Sequence, residues 1–423
     1  MKVLNIKIAF CFLILLYATT YAQDFNQNTK WMSGWTNFDP NMTAYPDTEE
    51  SIPNAITRDT FLSNDTVWLL SGDVYVTENA ILTIEEGTII RGDHKNPGNL
   101  FVTRGSKLIA VGSEVSPIVF TSNKPAKARK SGDWGGIIIA GNGFVNTVSG
   151  SSALKSSFSP QYSVYGGQRY EEQTVLLTNV RIEFAGNNVK SGENASGLTL
   201  LGIGTGSMLS NIMVSYSGQD SFSWKGGNND AGNLVSYKAA DDDFQMVEGY
   251  QGIIDHLTAI RHPFITSPRG SYAIEINGFN KNGGLANQDK VTDVTITNAS
   301  LINLSDAGNY MHTTAAIAAS NMAKVYLNSS KISGFSDIVK FDTSYTSLSF
   351  IRKAFGMDNS FFNIHKEGVQ VAFKPADGVL DILKYNRFTQ EFVDVQTLFT
   401  DPQSTILPKF ELQKSKNTYM VMQ

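Results

Sequence analysis

The most constraining feature of this sequence is an internal repeat within residues 211–249. Val214-Ser215-Tyr216 reappears as Val235-Ser236-Tyr237, and Asp220 falls at the same phase as Asp241. Apolar residues alternate in each copy, as in a β-strand with one buried side. Units repeated at this spacing are typical of stacked coils. Stacking would bring the acids of neighbouring coils together at one edge.

Weaker copies of this pattern run through most of the chain. Segments match at offsets of 18, 19 and 32 residues, namely 82–90 with 100–108, 118–123 with 137–142, and 179–186 with 211–218. In the second pair Asn123 recurs as Asn142, which predicts a ladder of stacked amides at a turn. Between residues 144 and 172 the pattern lapses, which predicts a long loop extending from one coil.

These irregular repeats predict an all-β chain, folded as a right-handed parallel β-helix with a C-terminal capping segment. They lack the long helical patterns of βαβ units and the signatures of propeller blades. We expect the β-helix to span residues 61–345, on the order of a dozen coils. Because a solenoid has open edges at both ends, residues 23–60 are predicted to be an extended N-terminal leader and cap, and residues 346–423 the C-terminal cap.

The N-terminus predicts a signal peptide over residues 1–22. Lys2 and Lys7 precede an apolar run, residues 8–17, that is short for a membrane span. Cys11 lies inside that run, so the mature chain should contain no cysteine. We therefore expect secretion across the inner membrane, to the periplasm, the outer surface or the medium.

Composition excludes some partners. The chain is 41% hydrophobic and 17% charged, with a net charge of −5. A weakly acidic chain without basic clusters argues against binding of nucleic acid. No other stretch resembles a transmembrane segment, so we expect none once the signal is removed.

The acids of the central repeat are the strongest candidates for a site. Asp220, Asp241, Asp242 and Asp243 should lie on adjacent coils, where carboxylates repel unless a cation, a nearby lysine or a shared proton compensates. Ca²⁺ suits such a site because it takes several oxygen ligands in flexible geometry. The four residues are therefore predicted metal ligands, unless they accept backbone N–H bonds at turns instead.

Four short motifs together resemble a family of secreted β-helix proteins from Gram-negative bacterial envelopes, which is distantly pectate-lyase-like in fold. They are GDWGGI at 132–137, RIEFAG at 181–186, SYSG at 215–218 and DDDF at 241–244. The resemblance covers most of residues 75–345. It implies the fold and export, and it implies no catalytic residues.

Two enzymatic alternatives use residues near the repeat. Asp220 followed by the 241–243 acids resembles the layout of inverting glycoside hydrolases on this fold, with Asp220 and Asp242 as candidate catalytic residues. The Gly-His-Gly and Arg-Ile-Lys signatures of polygalacturonases are missing, however. Arg261-His262-Pro263 resembles the start of a pectate-lyase motif, in which an arginine removes a proton while Ca²⁺ neutralises a uronate.

Asp133 and Trp134 form a second candidate site in a glycine-rich turn. A tryptophan on the surface of a β-helix can stack on a sugar ring, and it can equally pack beneath a loop. Because no complete catalytic set is present, the sequence favours a secreted, non-catalytic envelope protein that binds carbohydrate or another envelope protein. The alternative is a Ca²⁺-dependent polysaccharide lyase or an inverting glycoside hydrolase at the acidic edge.

Overall fold

The chain is a stack of short parallel strands. The computed structural model describes residues 29–154, 158–187, 195–267, 270–308, 314–373, 379–413 and 419–421. The predicted signal peptide, residues 1–22, lies outside this range.

The strands of the N-terminal coils precede a small hairpin. In order they are β1 (Glu50–Ser51), β2 (Ala55–Ile56), β3 (Thr60–Leu62), β4 (Trp68–Leu70), β5 (Val74–Val76), β6 (Ile81–Ile84), β7 (Ile89–Gly92), β8 (Leu100–Val102), β9 (Lys107–Val111), β10 (Ile118–Ser122) and β11 (Ile137–Ala140), followed by the hairpin strands β12 (Ser152–Ala153) and β13 (Val164–Tyr165).

The central coils contain the longest strands. They are β14 (Val175–Glu183), β15 (Leu198–Leu201), β16 (Met208–Ser215), β17 (Phe222–Lys225), β18 (Ala231–Tyr237), β19 (Phe244–Val247), β20 (Gln251–Arg261) and β21 (Ile274–Asn277).

The C-terminal coils have short strands and two helices. The strands are β22 (Asp293–Thr297), β23 (Ser300–Asn303), β24 (Ile317–Ser320), β25 (Lys324–Asn328), β26 (Lys331–Ser333), β27 (Val339–Phe341), β28 (Phe355–Asp358), β29 (Phe361–Asn363), β30 (Val369–Gln370), β31 (Arg387–Thr389), β32 (Phe399–Asp401), β33 (Lys409–Leu412) and β34 (Tyr419–Val421). The helices are α1 (Leu348–Ala354) and α2 (Val395–Leu398), and short 3₁₀ turns occupy Thr29–Met32, Gln288–Lys290 and Val379–Leu383.

Each coil contributes to three faces, and the predicted right-handed parallel β-helix is confirmed. A 19-stranded sheet supplies two of them: face 1 begins with β3, β6 and β9, and face 2 begins with β1, β4, β7 and β10. The strands β14, β16, β18 and β20 bend to run through both. An 11-stranded sheet forms face 3, from β2 to β30.

The interior is a set of apolar columns. In face 3, Leu198 pairs with Phe222, Phe222 with Phe244, and Phe244 with Ile274, and all four are fully buried. The rings of Phe222 and Phe244 stack with centroids 5.0 Å apart. Because inward positions alternate with outward ones, an apolar residue at every second position drives each coil to bury the same side.

The corner between faces 1 and 2 carries the asparagine ladder. Asn211 donates to Asn179 at 2.8 Å and Asn233 donates to Asn211 at 2.7 Å. All three have positive φ, which asparagine tolerates better than most residues. The ladder predicted from Asn123 and Asn142 is not formed, because the first follows a strand of face 2 and the second a strand of face 3.

The β-helix extends beyond the predicted residues 61–345 at both ends. Parallel pairing begins at β1 and β2 and continues to β31. The polar composition of the first coil hides its strands from an analysis of hydrophobic pattern. Antiparallel pairing of β34 with β31 then covers the C-terminal edge of face 2, as a cap should.

The described part of the leader covers a side of the β-helix. Met32, Trp35 and Phe38 pack with Met213 and Val235 on the outside of face 2. Residues of the C-terminal segment join the same cluster, namely Val395, Leu398, Phe399 and Phe410. In the described residues, no helix has the length and apolar character needed to cross a membrane.

Candidate functional site

The acids lie in the turns that lead from face 2 to face 3. Asp220 sits between β16 and β17, and the 241–243 acids sit between β18 and β19. These coils pair at an offset of 22 residues, as in Ile212 with Leu234. Asp220 is therefore level with Asp242, whose backbone N–H donates to Asp220 Oδ1 at 3.1 Å. The predicted match with Asp241 is displaced by one residue.

Three of the four acids form a cluster. One carboxylate oxygen from each of Asp220, Asp241 and Asp242 lies within 4.8 Å of the others. Ser196 Oγ donates to Asp220 Oδ2 at 3.2 Å, and the backbone N–H of Tyr272 donates to Asp242 Oδ1 at 2.6 Å. These bonds hold the first and third carboxyl groups in place. Asp220 is 9% exposed and Asp242 is 5% exposed.

Burial and mutual repulsion favour protonation of this cluster. Burial, then the charges of Asp241 and Glu275, raise the pKa of Asp220 to about 7. Burial, followed by the charges of Asp220, Glu275 and Asp241, raises the pKa of Asp242 well above its ordinary value. Because the two carboxyls interact directly, their proton belongs to the pair. At neutral pH the site thus holds a carboxylic acid beside carboxylates.

Asp243 and Arg261 face away from the cluster. Arg261 Nη1 donates to Asp243 Oδ2 at 2.7 Å, and also to the backbone oxygens of Asp241 and Tyr272. Ser236 Oγ donates to the other oxygen of Asp243. Asp243 and Arg261 are 0% and 2% exposed. Asp243 thus neutralises a buried arginine instead of joining a metal site, and Arg261 cannot reach a substrate as a base.

The three clustered acids line a cleft of about 370 Å³ on the outside of face 3. Its floor is a column of outward residues placed by the strand register, Thr199, Ser223, Gln245 and Glu275. Ser223 Oγ donates to Gln245 Oε1 at 2.8 Å, and Gln245 Nε2 donates to Glu275 Oε2 at 2.8 Å. The floor is therefore a fixed row of hydrogen-bonding groups.

Two loops form the walls of this cleft. Described residues of the predicted loop over residues 144–172 pack on face 3, and Leu154 and Phe158 line the cleft. Gly270 and Tyr272 contribute from the turn between β20 and β21. Of the described lining residues, Lys225 is the one cation. Four carboxyl groups against one lysine make the cleft acidic.

Asp133 and Trp134 lie apart from the cleft. Trp134 is 1% exposed, stacks on Phe120 in the core and donates from Nε1 to the backbone oxygen of Glu183 at 2.8 Å. Its ring has no face free for a sugar, at odds with the predicted ligand site. Asp133 is paired with Lys124 and accepts from Ser122 Oγ at 2.6 Å. Both residues act in the core packing and hydrogen bonding of this turn.

The carboxylate cluster meets the basic requirements of a Ca²⁺ site. Oxygens that ligate one Ca²⁺ at about 2.3–2.6 Å lie within about 5 Å of each other, as those of Asp220, Asp241 and Asp242 do. The predicted fourth ligand, Asp243, is bound to Arg261 and faces elsewhere. Ca²⁺ and a shared proton are thus two ways to compensate the same three carboxylates.

Several residues of the cleft were missed by sequence reasoning. Thr199, Gln245 and Glu275 occupy one column, although they are 46 and 30 residues apart in the chain. The sequence pattern that could have identified these residues is a polar residue directly after an inward-facing apolar residue, repeated in successive coils. Recognising it requires the strand register, which the irregular turns conceal.

Comparison with known proteins identifies the fold family. The model of a family described as a pectate-lyase like beta helix domain matches residues 54–397. One solved structure, the catalytic domain of Agl-KA, is 14% identical over 70% of this chain with a TM-score of 0.25, and the chain spans 61% of that structure's length. No curated protein matches. Since the family match covers most of the chain, the protein belongs to the family of pectate-lyase-like β-helix domains.

Proposed function

We propose that the cleft on face 3 binds a polysaccharide and that its three clustered acids hydrolyse a glycosidic bond. One observation carries this proposal: Asp220 and Asp242, whose pKa values are raised, lie beside Asp241 in an accessible cleft. A carboxylic acid next to carboxylates is what hydrolysis requires at neutral pH. This observation supports the enzymatic alternative more than the non-catalytic one.

The chemistry divides between a proton donor and a nucleophile. The Asp220–Asp242 pair gives its proton to the glycosidic oxygen as the bond to the anomeric carbon breaks. Asp241, the more exposed acid, has an oxygen within 4.8 Å of the pair, the short separation of retaining enzymes, so its carboxylate would bond to that carbon and water would then replace it. One water is consumed, and each fragment leaves with a hydroxyl group. Retained configuration in the first product would assign Asp241 this nucleophilic role, and inverted configuration would make Asp241 the base that activates the water.

The charge of the cleft favours an uncharged polysaccharide. Asp220, Asp241, Asp242 and Glu275 would repel the carboxylates of a polyuronate, with Lys225 as the one described cation to offset them. Sugar hydroxyls match Thr199, Ser223 and Gln245, which donate or accept hydrogen bonds. A lyase acting on uronates is less well supported, because Arg261 is buried against Asp243.

The acidic cluster also supports non-catalytic binding through Ca²⁺. An ion held by the three carboxylates would displace the shared proton and leave no acid for hydrolysis. The protein would then be a carbohydrate-binding or protein-binding component. Because residues 1–22 predict export, we place either function outside the inner membrane, in the Gram-negative envelope setting that the motifs resemble. Recovery of the protein from the cytoplasmic fraction only would contradict this location.

To test this proposal, the protein is incubated with soluble glucan, xylan, mannan or polygalacturonate, in the presence of EDTA or of CaCl₂, and the products are analysed. We expect new reducing ends from a neutral polysaccharide in EDTA, and a loss of rate of about 10²–10⁴-fold in Asp242→Asn. Asp65→Asn, at an exposed position on a distant coil, is the matched control.

Each other outcome assigns a different function. Unsaturated products from polygalacturonate that require CaCl₂ would establish a lyase. Absence of product from all four polysaccharides would overturn hydrolysis, and Ca²⁺-dependent binding without product would support the non-catalytic component.

A further inference from the structure

The cleft runs along the axis of the β-helix. Its floor follows successive coils of face 3, from Ile138 through Thr199, Ser223 and Gln245 to Glu275. A second polar depression, of about 320 Å³, shares the last two residues and continues along the same face. It includes Asn277, on the same strand as Glu275, and Asn321, which follows the strand of the next coil. A polysaccharide lying on this floor would therefore cross the coils one after another.

Leu154 and Phe158, two described residues of the loop over residues 144–172, block one end of this path. Phe158 packs edge-on against Phe101, with ring centroids 5.5 Å apart, and Phe101 pairs with Ile138 in the next coil. Leu154 belongs to the same apolar cluster. Leu154 and Phe158 are 7% and 5% exposed, so they are packed against face 3 and form a wall across the floor.

The loop is anchored on both sides of this wall. The antiparallel pair β12–β13 closes it, and Leu154 donates its N–H to the backbone oxygen of Ser163 at 3.1 Å. Tyr165 donates its hydroxyl proton to Glu248 Oε2 at 2.7 Å, which ties the loop to a later coil. The wall is thus a fixed part of the cleft.

The distance from this wall to the acids is short. Ile138 lies beneath the wall, while Asp220 is level with Ser223 and Asp242 with Gln245. From Ile138 to Ser223 is two strand spacings, about 10 Å. That length accommodates a mono- or disaccharide.

Thr199 lies in the floor of this short segment. Its side chain lines the cleft between the wall and the acids, and it is 4% exposed. Its hydroxyl Oγ1 is buried and has no hydrogen-bond partner within the described chain. A sugar hydroxyl bound beside Thr199 would supply a partner once the threonine side chain turned toward the cleft, and it would remove a cost of about 1–3 kcal/mol.

We propose that the protein acts at polysaccharide chain ends and releases mono- or disaccharides, because the wall formed by Leu154 and Phe158 stops the chain just beyond the acids. This inference rests on the proposed hydrolysis. The terminal sugar occupies the closed segment over Thr199, and the rest of the polysaccharide extends over Glu275 toward Asn321. Cleavage within the chain would require the polymer to pass through the wall.

The test follows viscosity and product length on the glucan, xylan or mannan that the wild type hydrolyses. We expect reducing ends to accumulate while viscosity stays nearly constant, with mono- or disaccharides as products from the start. An early fall in viscosity with a ladder of long products would overturn action at chain ends while leaving hydrolysis established. Absence of hydrolysis on all substrates would overturn the proposed function and this inference together.

Variants of the wall sharpen this test. Replacing residues 153–164 by Gly-Gly removes the wall, and Phe158→Ala opens it with less risk to folding. We expect either change to increase the share of products longer than a disaccharide several-fold. Tyr162→Ala is the matched control, because this aromatic residue packs on Tyr75, away from the cleft. Unchanged product lengths in a folded Phe158→Ala protein and in the Gly-Gly variant would contradict the role of the wall.

Discussion

The central coils present different outward residues on face 2 and on face 3. On face 2 the outward residues Met213, Val235 and Ile302 are apolar, and the two terminal segments cover them. On face 3 the outward residues Ser223 and Gln245 are polar, and they line an accessible cleft. Inward positions of both faces are equally apolar, so they carry no such distinction. The outward residues of a β-helix therefore indicate which parts of its surface are stabilised by a cover and which parts are available to a ligand.

The largest effect on folding is expected from the cover of face 2. Trp35 is fully buried in the cluster with Met213 and Val235, and it donates from Nε1 to the backbone oxygen of Trp31 at 2.8 Å. Trp35→Ala should lower the free energy of unfolding by about 3–5 kcal/mol. Urea denaturation measures the change.

A matched aromatic truncation provides the control for that variant. Phe61 is 57% exposed on face 1, so Phe61→Ala should alter the free energy of unfolding by less than about 0.5 kcal/mol. If Trp35→Ala and Phe61→Ala lowered the free energy of unfolding equally, the expected difference between covered and uncovered outward residues would be contradicted.

The acids beside face 3 should make stability depend on pH. The folded-state pKa of Asp220, about 7, lies above its unfolded value, so its contribution to stability is complete at low pH and is lost as pH rises from about 4 to 7. Asp220 alone contributes a slope of at most about 1.4 kcal/mol per pH unit. Asp220→Asn should flatten it, as measured by urea denaturation across this range.

Asp255, at the corner of faces 1 and 2, should change stability with pH in the opposite direction. Its partial burial raises its pKa, but hydrogen bonds from Thr297 and Asn298 outweigh that effect and lower it. Its contribution to stability is therefore present above about pH 4 and is lost as pH falls below that value, so Asp255→Asn should reduce the loss of stability at acid pH. A wild-type slope of zero between about pH 4 and 7 would show that the Asp220–Asp242 pair is compensated by a cation instead.

The smallest effects are expected from exchanging valine and threonine between the two faces. Val235→Thr places a hydroxyl in the apolar cover of face 2 and should cost about 1–3 kcal/mol. Thr199→Val removes a hydroxyl that has no partner in the described chain, so the free energy of unfolding should stay the same or rise slightly. If a sugar binds Thr199, the same variant raises KM. Destabilisation by Thr199→Val would instead show that its hydroxyl is bonded within the protein.

The periodicity of the sequence was sufficient to predict the β-helix, but it was not sufficient to predict which strands of neighbouring coils pair. The 32-residue repeat is confirmed by the pairing of Val180 with Ile212. The 18-residue match of Leu82 with Leu100 joins strands of face 1 and face 3 instead. Since all three faces bury the same alternating apolar residues, self-similarity alone cannot identify which face a strand belongs to.

A related ambiguity limited the prediction of the site. Val235 resembles an inward valine, but it faces outward beneath the leader, and the true offset of these coils is 22 residues. A slip of one residue reverses the side of every side chain in a strand. The acidic cluster itself was predicted, with three of its four members brought together. The wall was not, because Leu154 and Phe158 lie in a segment without periodicity.

The shared cover of face 2 has a consequence for how the molecule folds. Repeats of a solenoid ordinarily interact only with their neighbours, so such chains can unfold piece by piece. Here the leader and the C-terminal segment both complete one apolar cluster over the central coils. The C-terminal segment, which is synthesised last, is thus needed to complete the apolar cluster over the central coils. This contact couples distant coils into one cooperative unit.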